Sequence, residues 1–163
     1  MTKITASLIR KVREESGAPV MRVKKVLDEV IGGLPEAGSK ELEAGEKKAI
    51  EILKKEGYEK AKKRSGRETG QGLVACYVHH NGKVGVILSL LTETDFVAKN
   101  ELFGSLAREL AMQVASMDPA DKEELLGQDF IKDTSRKIRD LIAQASARTG
   151  ENIRIGRFTR IEI

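Results

Sequence analysis

Tryptophan is absent from this sequence, cysteine occurs once, and aromatic residues make up only 4% of the chain. With Cys76 alone there is no internal disulfide framework and no multi-cysteine zinc site. The shortage of aromatics leaves few surfaces on which bases could stack. No apolar run approaches the ~20 residues that a bilayer-spanning helix needs, so no membrane partner is expected. The opening MTKITASLIRKVREE has neither a signal-peptide core nor a transit-peptide bias, because acids enter early and its apolar positions are helically spaced. A cytoplasmic protein is expected. Neither a phosphate-loop pattern GxxxxGKS/T nor a strand-borne GxGxxG occurs, which argues against nucleotide binding by the chain itself. An excess of charge of one sign is missing too. Lys and Arg number 29 against 25 Asp and Glu, far from the charge density of a dedicated nucleic-acid binder. No cofactor, no metal and no specific nucleic acid are expected.

What is present begins with helical patterning. At 163 residues the chain can hold one main domain and a small appendage. Ile4, Leu8, Ile9 and Val12 recur at helical spacing behind a cap at Thr5, and Ser16-Gly17 is a stop. Pro19 suits a first helical turn, and Val23, Val26, Leu27, Val30 and Ile31 form a stripe ending at Gly32-Gly33. Beyond a loop around Leu34-Pro35, a third helix near Ser39 to Glu56 carries Leu42, Ala49, Ile50 and Leu53, with Gly57 as its expected cap. These three helices predict a unit over residues 1–59. The stretch KAKKRSGRETGQG, whose one apolar residue is Ala61, reads as a basic linker or exposed helix, and residues 60–71 are assigned to it.

From Gly72 the period changes. GLVACYVHH and KVGVILSLL flank Asn81-Gly82, the sequence signature of a two-residue hairpin turn. Alternation then puts Leu73, Ala75, Tyr77, His79, Val84, Val86, Leu88 and Leu90 on a core face, with Val74, Cys76, Val78, His80, Ile87 and Ser89 on the other. NIRIGRFTRIEI, with Ile153, Ile155, Ile161 and Ile163 in period two, offers a third strand. Between them lie two amphipathic helices: one lined by Phe103, Leu106, Leu110, Val114 and Met117, the other running from near Thr134 to Gly150 and lined by Ile138, Leu141, Ile142 and Ala145. The predicted fold class is α+β, with three N-terminal helices, then residues 72–163 as a three-stranded antiparallel sheet carrying helices on one face.

A Cys/His nucleophile is not expected. Cys76 and His79 fall on opposite strand faces, and Cys76 and His80 lie about 13 Å apart along the strand. Adjacent His79 and His80 make a poor metal chelate for the same reason. The basic run Lys60, Lys62, Lys63, Arg64 and Arg67 is read first as a solvated surface, with RNA or ribosome contact as the functional alternative. In TETDFVAKN, Thr94 or Asp95 can cap a helical turn with Phe96 turned inward, or Asp95 and Phe96 can be presented to a partner.

Read in order, ITASLIRKVREESGAPVMRVKKVL, TETDFVAKN and GENIRIGRFTRIEI resemble the three signature blocks of bacterial elongation factor Ts. The resemblance implies a ubiquitin-associated-like three-helix domain followed by a core that dimerises. It implies a guanine-nucleotide exchange factor, not an enzyme, whose partner is elongation factor Tu in its GDP-bound and nucleotide-free states. In the family's pattern, Arg13 and Met21, with Arg10, Lys11 and Val20 beside them, occupy the helical surface that docks on the partner's nucleotide-binding domain. Asp95 and Phe96, within the signature Thr94 to Val97, correspond to the pair that enters near the partner's magnesium and phosphate site. His79 or His80 matches a hairpin histidine that takes part in longer members. The chain has sequence for one core only and resembles the short class, whose members form homodimers. Arg22 stands where an acid or polar residue is commoner, Thr92 where cysteine is frequent, and the loop from Gly33 to Glu43 is longer than usual. The alternative function is a binding module that holds RNA or a ribosomal surface through the N-terminal helices and basic linker, without exchange.

Overall fold

Thr5 opens the first helix by accepting a hydrogen bond from the Leu8 amide at 3.3 Å, and Gly17 closes it in the left-handed conformation at φ 69°. The computed structural model describes residues 4–32 and 39–163, so Gly33 and the expected loop at Leu34 and Pro35 lie outside the described residues. Helix α1 spans Ala6–Ser16, α2 Val20–Ile31 and α3 Ser39–Arg64. Val12, Val23, Val26, Leu27, Ile31, Ala49, Ile50 and Leu53 form their common buried cluster.

Arg22, unusual for the family's pattern, has a local job. Its guanidinium grips the Glu56 carboxylate with two hydrogen bonds, Nε to Oε2 at 2.9 Å and Nη2 to Oε1, tying α2 to α3. That hydrogen bond holds the Glu56 carboxyl below its ordinary range.

Helix α3 does not stop at Gly57. It continues to Arg64, through the first residues assigned to the linker. Gly57 serves close packing instead, because a Cβ there would sit 3.2 Å from the Ala147 Cβ of the last helix. Gly45 plays the same part against α2, where a Cβ would lie 2.6 Å from Ile31 Cγ1. The third helix is thus a strut between the N-terminal cluster and the rest of the protein.

The second cluster is built on a sheet of β1 (Gln71–Val78), β2 (Val84–Thr92) and β5 (Arg154–Glu162), antiparallel in the order β1-β2-β5. Helices α4 (Asp95–Ala98), α5 (Glu101–Met117), α6 (Lys122–Gly127) and α7 (Ile138–Thr149) intervene, with a small hairpin of β3 (Asp129–Phe130) and β4 (Asp133–Lys137). Ala75, Val86, Leu88 and Leu90 of the sheet meet Phe103, Leu106, Leu110 and Val114 of α5 and Ile138, Leu141 and Ala145 of α7 in the main core. The α+β class and the helix-covered face are as the patterning predicts.

Several local expectations are corrected. The turn after β1 is a four-residue loop, His80 to Lys83, because the His79 amide donates to Val84 O at 2.8 Å and Gly82 N to His79 O at 2.8 Å. The Lys83 amide, needed to close a two-residue turn, donates instead to Asn81 Oδ1 at 3.0 Å. Register is unaffected, with Leu73 opposite Leu90 and Val78 opposite Gly85. Residues 134–137, expected at the start of the last helix, belong to β4. The hairpin is organised by Gln113, fully buried on α5, which donates to Asp129 O at 3.0 Å and accepts from the Ile131 amide at 2.9 Å. Gln113→Leu strands that carbonyl and that amide, and is expected to cost about 1–3 kcal/mol in a denaturant titration. Met117 at the end of α5 is 48% exposed and not a core residue.

The largest correction is in β5. Between Leu88 and Leu90 the pairing shifts, so that Ser89 faces both Gly156 and Arg157. The Ser89 hydroxyl accepts from Arg157 N at 2.7 Å and donates to Arg157 O at 3.1 Å, and a Cβ on Gly156 would fall 2.3 Å from its oxygen. One extra residue reverses the parity of the strand. Ile153 and Ile155 face the core, whereas Ile161 and Ile163 are 66% and 90% exposed. Ile161 lies opposite Gly85, whose other neighbour is Val78, so the outer face joins Ile161 to the exposed Val74, Val78 and Ile87.

Candidate functional site

Strand β2 ends at Thr92, and the chain turns at once into the single helical turn of α4. Thr94 caps that turn, its Oγ1 accepting from the Val97 amide at 3.5 Å. Val97 and Ala98 pack on the main core, while Phe96 points outward and is 82% exposed. Capping and presentation are therefore not alternatives: the threonine caps, the valine anchors and the aromatic ring is displayed. Asp95 is held by Lys99 Nζ at 2.8 Å, and this hydrogen bond, with the Coulombic attraction, keeps its carboxyl below the ordinary value.

Behind the turn stands Glu151, the residue after the left-handed Gly150 that ends α7. Its Oε2 accepts from Thr92 Oγ1 at 2.8 Å and from the Thr94 amide at 3.0 Å, and its Oε1 from Thr94 Oγ1 at 2.6 Å. Asn152 continues the bracket. Its amide donates to Glu93 Oε1 at 2.6 Å, and its side chain to Arg67 O at 2.8 Å and Ser65 O at 3.3 Å. The second and third sequence blocks are thus two halves of one hydrogen-bonded corner.

Burial opposes ionisation of Glu151, but the hydrogen bonds from Thr94, Thr92 and the nearby amides outweigh it and leave the carboxyl below its ordinary value of 4.5. A depressed carboxyl adds stability that is complete above the unfolded value and disappears as pH falls through the folded one. Melting temperature is accordingly expected to decline as pH drops below about 4.5, and Glu151→Gln to flatten that acid limb by lowering the melting temperature at neutral pH more than at pH 3; melts from pH 3 to 7 check both.

The N-terminal candidates occupy a separate surface. Arg10, Lys11 and Arg13 are exposed on α1, and Val20 and Met21 on the first turn of α2, Met21 to 77%. Lys11 is engaged by Glu46 at 2.6 Å, and that contact raises its pKa. This surface is fixed to α7 as well: Gln144 Nε2 donates to Glu15 O at 2.9 Å, and the stem of Arg148 lies over Gly17, where a Cβ would come within 2.4 Å of its Cγ.

His79 and His80 sit at the hairpin loop, rings 4.2 Å apart, with His79 Nδ1 at 3.1 Å from the Tyr77 hydroxyl. The nine residues of β2 separate them from α4, a span of about 30 Å at ~3.3 Å per residue. Within one chain the histidines and Phe96 are not brought together.

A family model described as "Elongation factor TS" matches residues 93–163, which begin at the displayed turn and include the Glu151 bracket. A protein named Elongation factor Ts from Thermotoga neapolitana is 36% identical over 204 aligned residues, covering 99% of this chain and 98% of the relative. The chain belongs to the elongation factor Ts family. Relatives of the same name from Thermotoga maritima and Oleidesulfovibrio alaskensis are 36% and 34% identical, covering 96% and 99% of those proteins. The alignments exceed the length of the chain, so these relatives contain segments that it lacks. This is a family of translation elongation factors.

Seen in this family member, the basic run is partly structural. Lys60, Lys62 and Lys63 are exposed, but Arg64 donates to Ser146 O at 3.3 Å and Arg67 pairs with Glu93 at 3.4 Å. Glu151, Glu93 and Asn152 were not singled out by sequence reasoning. An acid directly after a helix-ending glycine is the only local sign of Glu151. Among the described residues no group of three or more His, Cys, Asp or Glu could hold a metal ion, and no helix is long and apolar enough to cross a membrane.

Proposed function

We propose that this chain is a cytoplasmic guanine-nucleotide exchange factor that binds elongation factor Tu and promotes GDP release, a function without covalent chemistry. The observation that carries the reading is Phe96: a large apolar ring, 82% exposed, on a short turn held from behind by Glu151. A free monomer gains nothing by holding such a ring in water, so it is suited to a partner's pocket.

Exchange requires that the factor bind the nucleotide-free partner more tightly than the GDP-bound one, and linkage makes each ligand weaken the other equally. GDP is held by phosphate-cradling amides and a magnesium ion, so a ring wedged beside that site and a carboxylate competing for its contacts weaken both. Asp95 and Phe96 are the agents, with Thr94 and Val97 holding them in place. Arg10, Lys11, Arg13, Val20 and Met21, on the ubiquitin-associated-like domain, supply a second contact. The test is release of a fluorescent GDP analogue from elongation factor Tu into excess GDP, with and without the chain. Acceleration supports the reading; no acceleration, together with salt-dependent RNA binding, replaces it with the non-exchanging module.

A homodimer through the outer sheet face belongs to the same proposal. Val74, Val78, Ile87, Ile161 and Ile163 make an apolar surface that face-to-face sheet packing would cover. In such a dimer, His79 or His80 would reach the partner from the second copy. That arrangement accommodates their distance from Phe96 in the same chain.

A further inference from the structure

We propose that Glu151 is a positioning residue for exchange, holding the 92–94 turn so that Phe96 stands off the surface in the pose the partner meets. The inference rests on the exchange reading above and concerns how the wedge is kept stiff. Asp95 does not do this: its link to Lys99 is an exposed pair on the same turn, which contributes little. Glu151 reaches the turn from another element and takes three hydrogen bonds from it, two at Thr94 and one at the fully buried Thr92.

The carboxylate is itself well anchored. The Glu151 carbonyl accepts from Ser146 Oγ at 2.6 Å, and the next residue is tied to Glu93 and to the backbone of Ser65 and Arg67. Arg64, the last residue of α3, donates to the Ser146 carbonyl. The end of α7 therefore joins the strut that leads to the N-terminal helices and the turn that carries Phe96. An aromatic side chain on a loosened turn would spend binding free energy on ordering itself, and less would remain to displace nucleotide.

The experiment measures GDP-analogue release against concentration of the full chain, giving a maximal rate and a half-saturating concentration, with melting temperature recorded for each variant. Glu151→Ala is expected to lower the maximal rate about 5- to 10-fold while moving half-saturation less than twofold, because the N-terminal docking surface is untouched. Glu151→Gln, which keeps an acceptor for Thr92 and the Thr94 amide, recovers much of the rate. Thr94→Val slows release in the same way, and adding it to Glu151→Ala costs little more, since the two act as one unit. A folded Glu151→Ala variant with an unchanged maximal rate overturns the proposal, as does a loss confined to half-saturation. Should Glu151→Ala not fold, an unaltered rate in Thr94→Val overturns it equally. If the wild-type chain fails to accelerate release, the exchange reading itself has failed, a result distinct from any difference among variants.

Discussion

Phe96→Ala is expected to slow GDP release from elongation factor Tu by about 10- to 100-fold relative to the wild-type chain, a loss of about 1.4–2.7 kcal/mol in transition-state stabilisation. The magnitude follows from the role proposed for Phe96, a large aromatic anchor in a partner's pocket, since single anchors of this type dominate association. Its stability should change by less than about 0.5 kcal/mol, because an 82% exposed side chain supports almost none of the core. The combination of intact melting and lost exchange separates a wedge from a core residue. Phe103 is the internal contrast: it is fully buried beneath the sheet, and truncating it would unfold the protein before exchange could be read. A Phe96→Ala protein that melts normally and exchanges at the wild-type rate removes the ring from the mechanism.

Ile87→Glu is expected to abolish the proposed homodimer, raising its dissociation constant more than about 100-fold, or over 2.7 kcal/mol. Ile87 lies on the central strand between Cys76 and Thr159, in the middle of the outer face. Two-fold symmetry would place two copies of the new carboxylate in one interface, each losing water without gaining a partner. In the monomer the residue is already exposed, so the fold tolerates the charge. Sedimentation velocity across micromolar concentrations decides the matter: a wild-type dimer and a monomeric variant are expected, and a wild-type monomer or a variant that still dimerises contradicts the interface. If the hairpin histidines act from the second copy, the same variant also exchanges more slowly. His80→Ala in the dimer then reproduces part of that loss.

The bracket formed by Glu151 joins two sequence blocks that are 57 residues apart in the chain into one hydrogen-bonded corner. TETDFVAKN is legible as a turn with a cap, and GEN as a helix end, from local rules. That the helix end supplies the acceptors for the turn's threonines is a contact between elements. Nothing in the spacing of either block states it. Arg22 and Glu56 make the same point in the N-terminal helices: the arginine looks out of place in the sequence and is satisfied by a carboxylate 34 residues away.

By itself the sequence determined the three N-terminal helices, the hairpin register, the apolar faces of β1 and β2, and the family through its ordered blocks. These are encoded in periods of 3.6 and 2 and in caps, which act over a few residues. Only the tertiary structure decided that α3 runs past Gly57 to meet α7, because the glycine answers to Ala147 and not to its own helix end. It also decided that the bulge at Gly156 and Arg157 turns Ile161 and Ile163 to the outer face, since a parity change depends on the neighbouring strand. The outward stance of Phe96 belongs with these: whether a side chain enters the core or leaves it is settled by what already fills the space behind, here Val97, Ala98 and the threonines gripped by Glu151.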